Sequence, residues 1–392
     1  MTAFNRRNFL RTSGLGLIPA VIPFGNALAG TTGNTATAPP GSPIIKFFGD
    51  GEMYEPGDYL AELQKAHTAT SIIRDRYGVG GVVEALEKKF TELTGKEKAI
   101  FMPSGTMANQ LAIAVLSGDN TKVFVQDTSH VYRDEADAAQ SVFNKRLMPL
   151  AKDQAYFTAQ QLQAAVENLD NEEVFKSGIG AVSIENPVRR SDGRYVPVEE
   201  IQKISSYCRS KNIKMHLDGA RLFMASAWSG TSVKEYSGHF DTVYISLYKY
   251  LGASAGAILC GPATIIDKMA HQVKIHGGAM YSNWANAAMA LYKLDGFETR
   301  LQNAIKASAE IFTALNKLPG VQVKPLAGGT NMYSIDLAAA IDGKKMQATL
   351  NKEYNIRMPR PDDKNHSLLS VNETLLYQPA AYIINAFTKT IG

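Results

Sequence analysis

From about residue 96 to residue 261, short apolar runs alternate with stretches whose apolar residues recur at helical spacing. "KAIFMP", "KVFVQD" (122–127), "IGAVSIEN" (179–186), "IKMHLD", "TVYISL" (242–247) and "SAGAILCG" (254–261) read as strands. "SGTMANQLAIAVLSG" reads as a turn that opens a helix, and "PVEEIQKISSYCRSKN" (197–212) as a helix beginning at its proline. Ahead of these, "VVEALEKKFTELTG" (82–95) has helical spacing and stops at Gly95. Strands that alternate with helices in this way are buried between them. The expected fold class is therefore α/β, with a mostly parallel sheet.

The two ends of the chain read differently. After a long helical region near 283–318 come "VQVKPLAGGTNMYSIDL", a helix, "NIRMP", "SLLSV" and a final helix. This reads as a small α+β C-terminal domain (300–392) following a large domain (44–299). At the other end, "NRRNFLRTSG" places Arg6 and Arg7 before an apolar run, "GLGLIPAVIPF", and Ala27-Leu28-Ala29 fits a small-residue cleavage site. Residues 1–29 resemble a twin-arginine export signal, which implies a periplasmic protein. The plainer alternative is a basic tail with a short amphipathic helix. The apolar run is too short and too rich in Gly and Pro to span a membrane, so no membrane insertion is expected after signal cleavage. Residues 30–43, "GTTGNTATAPPGSP", form a polar linker.

Cleavage after Ala29 would remove Arg6, Arg7 and Arg11 and no acidic residue, taking the formal charge from +4 to +1. The basicity thus belongs to targeting, and no nucleic-acid partner is implied. Export to an oxidising compartment would permit a disulfide between the two cysteines, Cys208 and Cys260; lying in a helical and an apolar stretch, they read rather as two buried free thiols.

In open α/β sheets ligands sit outside the carboxyl ends of the strands, so the residues after each strand carry the functional reading. After "KAIFM" come Ser104, Gly105 and Thr106. A helix start with two hydroxyls and a glycine suits a phosphate, although Ser and Thr are also ordinary helix caps. After "KVFVQD" comes His130, which could stack on a planar ring, move protons, or be a structural histidine. Asp218 and Arg221 follow "IKMHL", and Lys249 follows "TVYISL". A lysine at a buried strand end is costly unless paired, neutral or covalently used. An Asp–Lys ion pair would account for Asp218 and Lys249, but not for the phosphate-like turn. Taken together these are the parts of a pyridoxal-phosphate site: an attachment lysine, a carboxylate for the pyridine nitrogen and a phosphate cup. No metal is expected.

The stretch from about Gly49 to about Leu294 resembles the threonine aldolase family of fold-type I pyridoxal 5'-phosphate enzymes, the aromatic amino acid beta-eliminating lyase/threonine aldolase group. "PSGTMAN", "TSHVYRDEA", "SIEN", "HLDGARLFMASAWSG", "FDTVYISLYKYLGASAGAILCG" and "KIHGGAM" carry the resemblance. It implies an aspartate-aminotransferase-type fold and a lyase that cleaves a β-hydroxy amino acid to glycine and an aldehyde. By the same resemblance Lys249 is the Schiff-base lysine, Asp218 pairs with the ring nitrogen and His130 stacks on the ring. Gly105 and Thr106, with Ser104 beside them, hold the phosphate. Arg221 contacts the ring hydroxyl region and the substrate carboxylate. Lys274 belongs to a neighbouring subunit's cofactor site, which implies a homodimer or homotetramer. Glu135 would orient His130 or be a solvated helix residue. The alternatives in function are β-elimination, transamination, or a protein that binds the cofactor or an amino acid without turnover.

The substrate shell departs from the family. Gly49 stands where a serine is usual, and Val188, Arg189 and Arg190 where a histidine is frequent. Tyr248 precedes the lysine in place of serine, Tyr281 replaces an arginine, and the C-terminal carboxylate clamp has no clear equivalent in "KNHSLLSV". Arg189 or Arg190 could supply a new carboxylate contact, or be a solvated loop pair.

Overall fold

The computed structural model describes residues 42–391. The expected signal, and all but the last two residues of the linker, lie outside the described residues. The strands are β1 (Ile45–Lys46), β2 (Lys98–Met102), β3 (Lys122–Gln126), β4 (Arg146–Leu150), β5 (Ile179–Glu185), β6 (Lys214–Asp218), β7 (Thr242–Ser246), β8 (Ala257–Gly261), β9 (Val321–Pro325), β10 (Met332–Leu337), β11 (Ile356–Arg357) and β12 (His366–Ser370). Seven of them form one sheet in the order β2-β8-β7-β6-β5-β3-β4. β8 pairs antiparallel with both β2 and β7, and every other pairing is parallel. The inner strands β3, β7 and β8 are buried at all five positions, as a sheet covered on both faces requires. The edge strands β2 and β4 are only partly buried.

Local chemistry accounts for most boundaries. The helix Gly81–Thr94 ends at Gly95, whose φ of +67° lets its N–H reach Thr91 O. The helix expected to begin at Pro197 starts one residue later, at Val198, because Pro197 is extended and serves as the N-cap. The long helical stretch is two helices, Trp284–Leu294 and Phe297–Leu315, with Gly296 at φ +64° between them. β4 was not legible as a strand because "RLMPL" contains Pro149. An edge strand tolerates a residue without an N–H, and β4 is such an edge.

A second, three-stranded antiparallel sheet, β12-β10-β9, is covered by the helices Phe297–Leu315 and Ala380–Ile391. Its core also takes Ile45 and Phe47 from the start of the described chain, where β1 pairs parallel with β11. Phe297 and Leu301 pack into the main core, whereas Ala304, Ile311, Phe312 and Leu315 of the same helix pack into the second. The domain boundary expected at residue 300 therefore falls inside one helix that serves both cores. Cys208 and Cys260 are buried and unpaired. No helix among the described residues is long and apolar enough to cross a membrane.

Candidate active site

Five strand ends converge. Ser104 follows β2 as the extended N-cap of the helix Gly105–Ser117, and its Oγ accepts the Met107 N–H at 3.2 Å. The helix thereby presents free N–H groups at its first turn. Gly105 has no alternative there: a Cβ would lie 2.1 Å from Tyr244 Oη. His130 follows β3, Glu185 ends β5, Asp218 ends β6, and Lys249 lies three residues beyond the end of β7. Ser104, Gly105, Thr106, His130, Asp218, Arg221 and Lys249 all line one cavity of about 260 Å³, together with Glu135, Glu185 and Tyr248. Of the residues expected at the site, Lys274 alone is not on its wall. It is exposed at the end of the helix Ala263–Ile275, with its Nζ 5.4 Å from the centre of the Tyr77 ring.

A buried polar network sets the charges. Asn109 is fully buried and its Nδ2 donates to Glu135 Oε1 at 2.8 Å and to Asp218 Oδ2 at 2.9 Å. Its Oδ1 must then face His216 Nε2, 2.9 Å away, so Nε2 carries the proton and His216 Nδ1 accepts from Thr242 Oγ1 at 2.8 Å. Burial keeps that imidazole neutral, pushing its pKa down to about 4. Asp218 Oδ1 accepts the Ala220 N–H at 3.2 Å. Asp218 is thus held by donors on both oxygens.

His130 Nδ1 lies 3.0 Å from Glu135 Oε1, and this hydrogen bond raises the histidine's pKa against the opposing effect of burial. Glu185 accepts the backbone N–H groups of His130 at 2.8 Å and Arg189 at 2.9 Å. Burial, followed by the charge of Asp218, pushes Glu185 up to about 7. The donor atoms of His130, Glu135 and Asp218 lie within 4.8 Å of one another, close enough to hold a metal ion. Asn109 already places an amide donor on both carboxylates, which suits charge-assisted hydrogen bonding better than cation ligation.

Arg221 is held by Asp50 on two bonds, Nε to Oδ1 at 2.5 Å and Nη2 to Oδ2 at 2.9 Å. Burial opposes the charge on the guanidinium, and these bonds override it. Asp50 also accepts the Tyr250 N–H through its backbone oxygen at 2.8 Å. Tyr250, directly after Lys249, has a left-handed φ of +68°, and its Oη accepts from Asn331 Nδ2 at 3.1 Å. A non-glycine residue persists in that conformation only where its surroundings hold it, and such positions cluster at functional sites. Lys249 is 7% exposed, and its Nζ lies 5.2 Å from the Tyr248 ring centre.

Sequence reasoning missed the roles of Asn109, His216, Glu185, Asp50 and Tyr250. Asn109, Glu185 and Asp50 stand inside the segments "PSGTMAN", "SIEN" and "GDG", but their partners are distant in the chain and no spacing reveals them. Arg189 and Arg190 both reach Asp134. Arg190 does so through Nε at 2.8 Å and Nη2 at 2.5 Å, and Arg189 through Nη1 at 3.3 Å.

A lysine, a hydrogen-bonded aspartate and a helix N-terminus brought together at the strand ends of such a sheet define a class, the fold-type I pyridoxal-phosphate enzymes. Within it, the chain belongs to the beta-eliminating lyase family, whose sequence profile matches residues 61–338. A low-specificity L-threonine aldolase of Candida albicans is 31% identical over 70% of this chain and 72% of its own length. That of Escherichia coli K12 is 30% identical over 61% and 70%. Among solved structures, a provisionally assigned L-allo-threonine aldolase of Listeria monocytogenes superposes with a TM-score of 0.73 at 25% identity, over 89% of this chain and 96% of that one.

Proposed function

We propose that the protein is a pyridoxal-phosphate-dependent lyase of the threonine aldolase type, splitting the Cα–Cβ bond of a β-hydroxy amino acid into glycine and an aldehyde. The observation that carries this is the convergence of Lys249, Asp218, His130 and the Ser104–Thr106 helix start on one cavity. The residues fit the cofactor. Lys249 is buried with an aromatic ring for company, an arrangement that is costly for a lysine without a covalent use. Asp218 is a buried carboxylate with donors already fixed on it, ready for one more cationic partner. Gly105 admits the Tyr244 hydroxyl beside a helix N-terminus that lines the cavity, a place suited to a phosphate.

When bound, pyridoxal phosphate supplies the electron sink for the charge left at Cα. The protein does the rest. The Gly105 and Thr106 N–H groups would hold the cofactor's phosphate, Lys249 would offer the attachment amine, and Asp218 would pair with the ring nitrogen. His130 donates Nδ1–H to Glu135, which leaves Nε2 to take the β-hydroxyl proton, directly or through water. Glu135 thus sets the tautomer of the base.

The test is product analysis on β-hydroxy amino acids. Glycine with an aldehyde supports the reading. Pyruvate with ammonia, or a keto acid formed only with an amine acceptor, would move the protein to β-elimination or transamination. Lys249→Ala should stay folded and lack the visible absorption of the loaded wild type.

Two further parts of the reading concern place and assembly. The twin-arginine segment delivers the folded, loaded protein to the periplasm. The protein acts as a homo-oligomer in which Lys274 reaches a neighbour's site. Supporting this, Lys274 stands over the exposed Tyr77 ring, which meets exposed Tyr281, and their chain neighbours Ile275 and Met280 are exposed too, an apolar set suited to subunit contact.

A further inference from the structure

The cofactor cavity has a neighbour. A second chamber of about 370 Å³ shares Arg221 with it. Its wall is built from the segment Phe47–Asp50, the loop after β5, Tyr250, and residues at and beside β10 and β12. Much of that wall is apolar: Phe47, Pro187, Met332, Pro359 and Leu368.

The polar groups of this chamber are mostly spent. Asn331 Nδ2 donates to Tyr250 Oη, Ser370 Oγ and Val371 O. Thr330 Oγ1 donates to Gly193 O at 2.8 Å. Asp50 and Arg221 neutralise one another, and Asp192 lies 3.6 Å from Arg194. Arg189 is the least committed of them. A guanidinium carries five N–H donors, and that of Arg189 makes one 3.3 Å contact with Asp134 Oδ2. Arg190 Nε already holds the same oxygen at 2.8 Å and Arg190 Nη2 holds the other at 2.5 Å. The Arg189 side chain is 52% exposed, so solvent screens its pairing and little holds it there. Arg190, in contrast, is fixed on Asp134 as a fork and does not line the chamber.

A cation with unspent donors, on a wall where the other charges are paired, is suited to a carboxylate, which an arginine can bind through two bonds. We infer that the second chamber is a substrate subsite and that Arg189 is its specificity-determining residue, binding a carboxylate of the amino acid substrate. This rests on the amino-acid lyase reading above. The carboxylate is either the one on Cα or a second one on the side chain. The chemistry of recognition is shared, and the experiment separates the sources.

In the cofactor-loaded protein, the visible absorption is titrated with glycine and separately with β-hydroxyaspartate, for wild type, Arg189→Ala and Arg189→Lys. Loss of charged hydrogen bonds should raise the Kd of glycine about 10- to 100-fold in Arg189→Ala, with partial recovery in Arg189→Lys. Weakening confined to β-hydroxyaspartate places the side-chain carboxylate in the chamber and equally supports the subsite. Thermal unfolding identical to wild type shows that the loss is not one of folding. A wild type that responds, beside an Arg189→Ala variant with unchanged Kd for both ligands, overturns the inference alone. A wild type silent to every amino acid overturns the lyase reading, and the inference with it.

Discussion

Asn109→Asp replaces an amide by a carboxylate of the same shape at the centre of the buried network. Asn109 Nδ2 donates to Glu135 at 2.8 Å and to Asp218 at 2.9 Å. The variant therefore sets a third acidic group against two others. Were it ionised, each like-charge contact at that separation would cost about 6 kcal/mol at an effective dielectric constant of about 20. Keeping the new carboxyl protonated is cheaper. Its unfolded pKa is about 3.9, so holding the proton at pH 7 costs about 4 kcal/mol.

The sign follows from proton counting. Above about pH 4 the native variant binds one proton more than its unfolded chain, so its stability falls by about 1.4 kcal/mol per pH unit. Urea unfolding of wild-type and variant apoprotein at pH 5, 6, 7 and 8 measures this. The difference in unfolding free energy should grow steadily across the series and reach about 4 kcal/mol near pH 7. A difference that is flat with pH, or below about 1 kcal/mol at pH 8, would refute the idea that the site needs an uncharged donor between Glu135 and Asp218.

Three other outcomes are expected. Gly105→Ala forces a methyl to 2.1 Å from Tyr244 Oη, so the apoprotein should lose about 1–3 kcal/mol of stability and retain the cofactor poorly on dialysis. Glu135→Gln should lower the His130 pKa, read from its imidazole proton shifts by NMR, because the Glu135 hydrogen bond is the largest cause of its rise. In the wild type, the His130 contribution to stability is fully present below about pH 6.5 and is lost as pH rises through the raised folded value, and the variant should lack that loss. Cys208 and Cys260 are buried and their pKa values are pushed up to about 12, so a thiol reagent at pH 8 should label neither in the native protein and both after unfolding.

The sequence by itself determined the class of fold and the types of reactive group. Periods of 2 and 3.6 are local properties, and so are the glycine stop at Gly95 and the serine cap at Ser104. The rule that ligands sit at carboxyl ends of strands then made Ser104, His130, Asp218 and Lys249 legible before any geometry was known. Tertiary structure alone decided how those groups are charged and aimed. Asn109 and Asp218 are 109 residues apart, and Asp50 and Arg221 are 171 apart. Such pairings depend on the packing of whole strands and helices, which no local pattern encodes. The same holds for Arg189 and Arg190. They are equivalent as adjacent letters, but the fold locks Arg190 on Asp134 and leaves Arg189 on a chamber wall.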